Sequence, residues 1–293
     1  MNKRALRADI LLLLTAGIWG FGFVAQRSGM EYVGPFAYNG IRFMLGSLSL
    51  LPLVLIRHKA SGSSNHPATA SIKKATLYSL AAGGCLFIAV ILQQFGVMFT
   101  TAGNAGFITG LYVVLTPIFG IFLGRKTGPA TWLGSVFTVV GLYFLCATGS
   151  AAIGGSHNSI NPGDMLTMVS AVFWACHVLL IDRLVQDIDP LVLSSGQFAV
   201  CGLLSLIGAF LAEPFVVPLA ALVDPTLLEM GTFAWLPFPE LLAGLSAQTV
   251  SFPVEGLIPI LYGGLGSVGI AYTLQVVAQR DAPPAHATII LCF

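Results

Sequence analysis

Long apolar runs alternate along the chain with short clusters of charge, so the informative measurement is the length of each run free of Asp, Glu, Lys and Arg. Asp9 and Arg27 enclose 17 such residues, residues 32–56 are interrupted only by Arg42, and residues 75–124 run for 50. A bilayer core about 30 Å thick takes about 20 apolar residues as helix, so the last run predicts two spans, divided by the polar break at residues 100–104. A fifth span is predicted at residues 130–147, followed by a Gly/Ser/Asn stretch that reads as a linker. Runs at 165–181, 190–212 and 256–279 supply three more, and a ninth begins at Pro283. Membrane β-strands would be about 9 to 11 residues long and alternate in polarity, so the pattern predicts helices. The first run, behind Lys3, Arg4 and Arg7, shares its outline with a signal peptide, but it contains Trp19, lacks a small-x-small cleavage site and recurs internally.

Composition narrows the class. Of 293 residues 56% are hydrophobic and only 9% charged, with mean hydropathy +0.88, which leaves too little polar surface for a soluble globular fold. The net charge of +1 gives no bulk attraction for nucleic acid, and the partner the composition calls for is the lipid bilayer. The charges matter by position. With the N-terminus cytoplasmic, the inner segments hold eleven of the thirteen Lys and Arg residues, as the positive-inside rule requires. Only Arg27 and Arg42 remain. Residues 213–255, placed outside, carry five acids and no Lys or Arg. The prediction is a multi-pass protein of a bacterial inner membrane with its N-terminus inside.

The chain also resembles itself. A shift of 155 positions aligns Asp9 with Asp164, Ala16 with Ala171, Trp19 with Trp174, Pro35 with Pro190 and Phe43 with Phe198. A shift of 182 pairs Gly84 with Gly266, Leu92-Gln93 with Leu274-Gln275, Ala105 with Ala287 and Ile108 with Ile290. A five-span unit is odd, so the second copy must enter the membrane from the opposite side, the inverted arrangement of secondary transporters. The expected fold class is therefore an all-α polytopic membrane protein, an inverted repeat of five-helix bundles on a ten-helix plan: residues 1–148 form the first repeat, 149–163 a linker and 164–293 the second. On this register the second copy lacks about 35 residues beyond Phe293.

Gly17-Ile18-Trp19-Gly20, Ile41-Arg42-Phe43, Asn104-Ala105-Gly106-Phe107, Leu115-Thr116-Pro117 and Ala285-His286-Ala287, in this order and with the two-copy layout, resemble the EamA family of the drug/metabolite transporter superfamily over essentially the whole chain. The resemblance implies a ten-helix bacterial inner-membrane carrier, often an exporter of amino acids or other small metabolites, with a central cavity between the repeats. The chain departs from that pattern at its C-terminal end, where the ninth span is only begun.

Ionisable groups inside a membrane are costly and mark function, so Arg42 leads the candidates. It lies about 10 Å below the outer surface at 1.5 Å per residue, where it could line a cavity, pair with another side chain or snorkel to headgroups. Its repeat mate is Gln197, so the halves would present unequal charge to a substrate, as an anionic group would require. Gln93 and Gln275 occupy matched positions and face either the cavity or another helix. Trp19 and Trp174 form a second matched pair, and Tyr112, His177 and Tyr272 are further candidates, each with a packing role as the alternative. Asp9 and Asp164 open spans one and six, where a carboxylate complements the helix dipole. Asn104 and His286 read as caps or gates. Gly106-x-x-x-Gly110 and Gly120-x-x-x-Gly124 offer small faces for close packing or a homodimer.

Residues 120–127 superficially resemble a phosphate loop, but the glycines are four apart, Arg125 intervenes and no strand precedes. No nucleotide site, other cofactor or metal centre is predicted: the five cysteines, Cys85, Cys146, Cys176, Cys201 and Cys292, lie in apolar stretches without metal-ligand spacing. Energy for transport must then come from a gradient. The reading is a secondary transporter exporting amino acids or other small polar metabolites by alternating access, and not an enzyme. The competing readings are a membrane-embedded enzyme acting on lipid and a non-transporting fragment or scaffold. Residues 60–71 read as a flexible inner loop, and residues 240–248 as a short interfacial helix.

Overall fold

The computed structural model describes residues 3–60, 72–125, 127–151, 162–212 and 254–292. Among these residues the chain is helical, without strands. Helix α1 (Lys3–Gly20) is separated from α2 (Gly22–Gly29) by Phe21, and α3 (Pro35–Ala60) and α4 (Ile72–Phe99) follow as long rods. The next span is broken at Leu111 into α5 (Ala102–Gly110) and α6 (Tyr112–Phe122), before α7 (Pro129–Ala151), α8 (Pro162–Leu184) and α9 (Pro190–Leu211). The last described span comprises α10 (Val254–Leu261), a π-helical segment Tyr262–Tyr272 and α11 (Thr273–Gln279); α12 (Pro284–Leu291) comes after it. Seven of these stretches are long and apolar enough to cross a bilayer: Lys3–Gly29, Pro35–Arg57, Ile72–Phe99, Ala102–Phe122, Pro162–Leu184, Pro190–Leu211 and Val254–Gln279. The fold is that of an all-α polytopic membrane protein. Of the predicted inner loop at 60–71 and linker at 149–163, residues 61–71 and 152–161 lie outside the described residues, as does the interfacial helix at 240–248; residue 60 ends α3, residues 149–151 end α7 and residues 162–163 begin α8.

Local chemistry sets the helix ends. Pro35 and Pro190, partners in the repeat, each stand at the first position of a helix, where proline's missing N–H costs nothing. Asp189 caps α9, its carboxylate accepting the Leu191 N–H at 2.9 Å. Thr101, not Asn104, caps α5: its hydroxyl accepts the Asn104 N–H at 3.1 Å. Gly124, at φ 74°, ends the α6 span in a left-handed turn, with the Arg125 N–H returning to Gly120 O at 2.9 Å and the Gly124 N–H to Ile121 O at 2.9 Å. That is a Schellman closure. The second Gly-x-x-x-Gly motif therefore terminates a helix instead of packing one.

The close approaches that make the bundle lie elsewhere. Helix α3 packs on α9, α4 on both α8 and α9, and α8 also on α5 and α6; α1 packs on the π segment, α11 and α12. A Cβ on Gly163 would fall 2.7 Å from Gly96 O, one on Gly83 2.7 Å from Gln197 O, and one on Gly46 2.3 Å from a Val268 side-chain carbon. Gly106, by contrast, has only Phe23 ring carbons, at 3.8 Å or beyond. Small residues let backbones meet, here between α4 and α8, between α4 and α9, and between α3 and the π segment.

One face of the bundle collects the ionic contacts. Arg57 meets Asp189 at 3.2 Å, Lys74 meets Asp187 at 3.0 Å, His286 meets Asp9 at 2.8 Å, and Arg125 pairs with Asp182. Lys74 and Tyr78 hydrogen-bond the Asp187 carboxylate and hold it below the ordinary carboxylate range. The N-terminal half of α1 and the C-terminal end of α8 share this face, since Asp9 and Arg125 line one cavity and Arg125 pairs with Asp182. Around the sides, large apolar residues such as Leu13, Leu14, Ile56, Phe122, Phe137 and Ile258 stand exposed, a belt suited to lipid.

Adjacent glycines on α4 test this packing. Gly84 has open space where a Cβ would go, so Gly84→Ala should leave stability unchanged or raise it by about 0.5–1 kcal/mol through reduced backbone entropy. Gly83→Ala should cost about 1–3 kcal/mol by overpacking against α9. Thermal unfolding of the two variants in detergent checks the contrast.

Candidate functional site

Arg42 is only 2% exposed in the middle of α3. Its Nε donates to Asn39 Oδ1 at 2.8 Å, one turn away, while the Asn39 amide donates to Val90 O at 3.5 Å. The guanidinium carbon lies 5.4 Å from the Tyr38 ring centre and 5.0 Å from that of Phe43. These contacts turn it inward, so the snorkelling alternative is excluded by its burial. Among the described residues it has no ion pair. A buried cation held by one neutral hydrogen bond and two aromatic faces carries a desolvation cost its contacts only partly offset.

Next to it lies an aromatic cluster assembled from both halves of the sequence. Trp19 of α1 and Trp174 of α8 have ring centres 6.5 Å apart, and Tyr272, at the end of the π segment, stands 4.6 Å from Trp19 and 5.8 Å from Trp174. Phe43 and Phe198 meet at 6.0 Å and lie 5.9 Å and 5.8 Å from Tyr272. Two pairs that the 155-residue shift aligns thus face each other across one seam. The glycine-rich π segment carries Tyr272 into this space, and α1 is fixed to it by Trp19 Nε1–H donating to Ser267 O at 3.3 Å, Thr15 Oγ1 to Ala271 O at 3.2 Å and Tyr262 Oη to Ile18 O.

The seam also holds polar groups. His177 Nε2 and Gln197 Oε1 are 2.9 Å apart, and the His177 ring stands edge-on to Trp174 at 5.9 Å. Both residues are fully buried. Trp174 Nε1, His177 Nδ1, Gln197 Nε2 and Gln275 Oε1 are buried without a hydrogen-bond partner among the described residues. In hydrocarbon each such group costs about 1–3 kcal/mol. Gln93, by contrast, donates to Thr109 Oγ1 at 3.1 Å, which is an interhelical bond. Tyr112 is buried in the same apolar cluster as Trp174 and Tyr272. Of the nine candidates, the structure gathers Arg42, Trp19, Trp174, Tyr272, His177 and Gln197 around the seam. Gln275 lies one turn beyond Tyr272, Tyr112 lies at the edge of the cluster, and Gln93 is bonded away from it.

Gln94, with neither amide atom partnered and no exposure, is a polar residue that the sequence reading passed over; the Gln93-Gln94 doublet in an otherwise apolar run was its signal.

A cavity of about 580 Å³ opens on the face of the ion pairs, lined by residues that include Asp9, Thr116, Arg125, Leu179, Asp281 and His286. Thr116 and Leu179 lie four and five residues along their helices from Tyr112 and Trp174, so by helical rise the cavity stops about 6–8 Å short of the central cluster. Asp9 is not the helix-start carboxylate expected: α1 begins at Lys3, and Asp9, in the second turn, meets His286 of α12. His286 is accordingly a partner of Asp9 and makes no cap bond for α12. Asp164 does lie in the first turn of α8, where it accepts the Thr100 hydroxyl at 2.6 Å. Arg27 donates to Val97 O and Thr100 O at 3.2 Å and 2.9 Å, closing the end of α4. Among the described residues no cluster of His, Cys, Asp and Glu could hold a metal ion.

Residues 6–147 match the EamA-like transporter family. An uncharacterized transporter of Archaeoglobus fulgidus is 28% identical over 73% of this chain and 62% of its own length. The uncharacterized transporter YvbV of Bacillus subtilis is 25% identical over 87% of this chain and 81% of its own. Human solute carrier family 35 member F6 is 24% identical over 62% of this chain and 53% of its own. The chain thus spans less than two thirds of the archaeal and human relatives. A solved crystal structure superposes with a TM-score of 0.64 over 97% of this chain and 83% of that chain, at 17% identity, and shows the fold alone.

The support of Arg42 can be probed by stability. Asn39→Leu, which strips the guanidinium of its hydrogen bond, should lower stability by about 1.5–3 kcal/mol. The double variant Asn39→Leu with Arg42→Met should recover the wild-type value or exceed it, because it removes the buried charge altogether. Thermal unfolding in detergent distinguishes a charge kept at a cost from one that holds the fold, for which the double variant would be the least stable.

Proposed function

We propose, from the match of residues 6–147 to the EamA-like transporter family, a secondary carrier that moves a small polar metabolite by alternating access between two inverted repeats. The observation that carries the reading is the seam where Trp19 meets Trp174 and Phe43 meets Phe198, with unpartnered polar atoms, beyond the blind end of a cavity that stops short of it. Amino acids and relatives are the substrates implied by the family resemblance, and export from a bacterial cytoplasm the direction.

The repeat assignment, 1–148 against 164–293, is supported by an exchange of partners. Helix α1 packs on the π segment, α11 and α12 of the second half, whereas α8 packs on α4, α5 and α6 of the first. Helix α1 begins on the face where α8 ends, as expected of units inserted in opposite senses. The basic face, holding Arg57, Lys74, Arg125 and Arg280 with the start of α1, is assigned to the cytoplasm by its excess of Lys and Arg.

Two sets of contacts between the halves would act as latches. On the basic face they are Asp9 with His286 and Arg125 with Asp182; at the far end, it is Thr100 with Asp164. In the Asp9–His286 pair both side chains are more than a third exposed, and such pairs contribute about 0–1 kcal/mol. Contacts this weak can be exchanged between states without a large barrier or bias. Release of the basic-face latch would extend the existing cavity to the aromatic rings; release of the other would open the rings to the opposite side.

Proteoliposomes test the reading. A cleavable crosslinker joining cysteines at 9 and 286, or at 100 and 164, should each stop counterflow of the substrate, and cleavage should restore it. Undiminished flux with either end locked would contradict alternating access. Accumulation against a concentration difference should require an imposed ion or proton gradient.

A further inference from the structure

We propose that the seam takes a small aromatic monocarboxylate, a flat organic anion without an ammonium group. The proposal rests on the carrier reading and replaces the amino acids that the family resemblance implies with a different class of substrate.

The charge balance of the described chain carries the first step. Arg42 is buried with a neutral hydrogen-bond partner and has no ion pair among the described residues. Its guanidinium carbon lies 5.0 Å from the Phe43 ring centre, and Phe43 lies 5.9 Å from Tyr272, which places it at the seam. The acids of the described spans, Asp9, Asp164, Asp182 and Glu255, all lie within two turns of a helix end, and three of them already hold a partner: His286, Thr100 and Arg125 respectively for Asp9, Asp164 and Asp182. The seam therefore has one excess positive charge in a medium where charge is weakly screened. A bound carboxylate would neutralise it. A zwitterion would bring an ammonium group that finds no carboxylate there.

The second step is the set of unused donors. Since His177 occupies Gln197 Oε1, the free end of that amide is its NH₂, and Trp174 Nε1–H is likewise unpartnered. Both are at least nine-tenths buried. With the guanidinium they form donors of the kind that receive carboxylate oxygens. One guanidinium offsets one negative charge, which favours a monoanion over a dicarboxylate or a phosphate dianion.

The third step is the wall. Trp19, Trp174, Tyr272, Phe43 and Phe198 supply ring faces and edges within 4.6–6.5 Å of one another, and a flat ring can exchange with such contacts at little loss. Aromatic faces also attract cations. Here, however, Tyr38 and Phe43 already face the guanidinium, and its like charge opposes a second cation beside it.

Three probes that share a phenylethyl skeleton and differ in the charged groups it carries provide the test: 3-phenylpropanoate, phenylalanine and 2-phenylethylamine, titrated against the full chain in nanodiscs with tryptophan fluorescence as readout. The propanoate should bind at least tenfold more tightly than phenylalanine, with the amine weakest. Arg42→Gln should abolish this ranking, and Arg42→Lys, which keeps the charge, should retain it in part. Equal or tighter binding of phenylalanine or the amine, or failure of all three to bind, would overturn the proposal without depending on any variant's folding. Counterflow in proteoliposomes separates the two claims. Tight binding of the propanoate with no flux would uphold the site and overturn the carrier reading, whereas flux of the amine or the zwitterion at an equal rate would do the reverse.

Discussion

Hydrocarbon offers no water to a polar group, and every feature of this protein answers to that constraint. Most backbone groups are satisfied within helices, and backbone hydrogen bonds continue across the breaks at Phe21 and Leu111, with Ala25 N–H donating to Phe21 O at 3.0 Å and Leu115 N–H to Leu111 O at 3.3 Å. Side-chain hydroxyls largely return to carbonyls: Ser170 to Ala89 O at 2.8 Å, Thr116 to Tyr112 O at 2.8 Å. Against this background the exceptions are informative. Among the described residues, Arg42 without a carboxylate, and Trp174, Gln197 and Gln275 with unused polar atoms, are the exceptions that lie around the seam, while others, such as Gln26 and Gln94, lie outside it. A bilayer protein that leaves these groups unmet together gives up stability where a polar ligand would recover it.

The helix plan could be read in advance because membrane thickness imposes a length, and a run free of charge is countable. The proposed repeat rests on identical residues that recur at a constant shift, and two of the aligned pairs, Trp19 with Trp174 and Phe43 with Phe198, meet in the structure. Arg42 was legible for the same reason that it is costly. What stayed hidden was tertiary. Asp9 and His286 are 277 positions apart, and nothing in either local sequence names the other. The glycines that allow close approach, Gly83, Gly96 and Gly163, carry no pattern that separates them from Gly84, which faces open space. The Gly120–Gly124 spacing suggested a packing face but serves a helix end, since spacing alone does not report φ. Thr101 displaced Asn104 as cap because a hydroxyl three residues ahead can accept the Asn104 N–H, leaving that amide side chain without the capping role.

The two ends of the seam differ in chemistry, although the 155-residue shift aligns their acids, Asp9 and Asp164. Asp9 meets an imidazole, while its mate Asp164 meets a hydroxyl. Arg42 faces the seam from one half, and its mate Gln197 answers from the other with an amide already engaged by His177. A pair of halves that matched fully would give two states of equal energy. Under the proposed alternating access, these differences would give a bound anion and the membrane potential unequal purchase on the two states.

The most direct test uses a residue already at the seam. Cys201 is fully buried on α9, in the apolar cluster that also holds Phe43, Trp174, Phe198 and Tyr272. In a variant lacking the other four cysteines, reconstituted in sealed vesicles, a membrane-impermeant maleimide should label Cys201 when added to either side, and substrate should slow both reactions. Labelling from one side only, or none until the protein is unfolded, would contradict a seam that opens alternately to the two faces of the membrane.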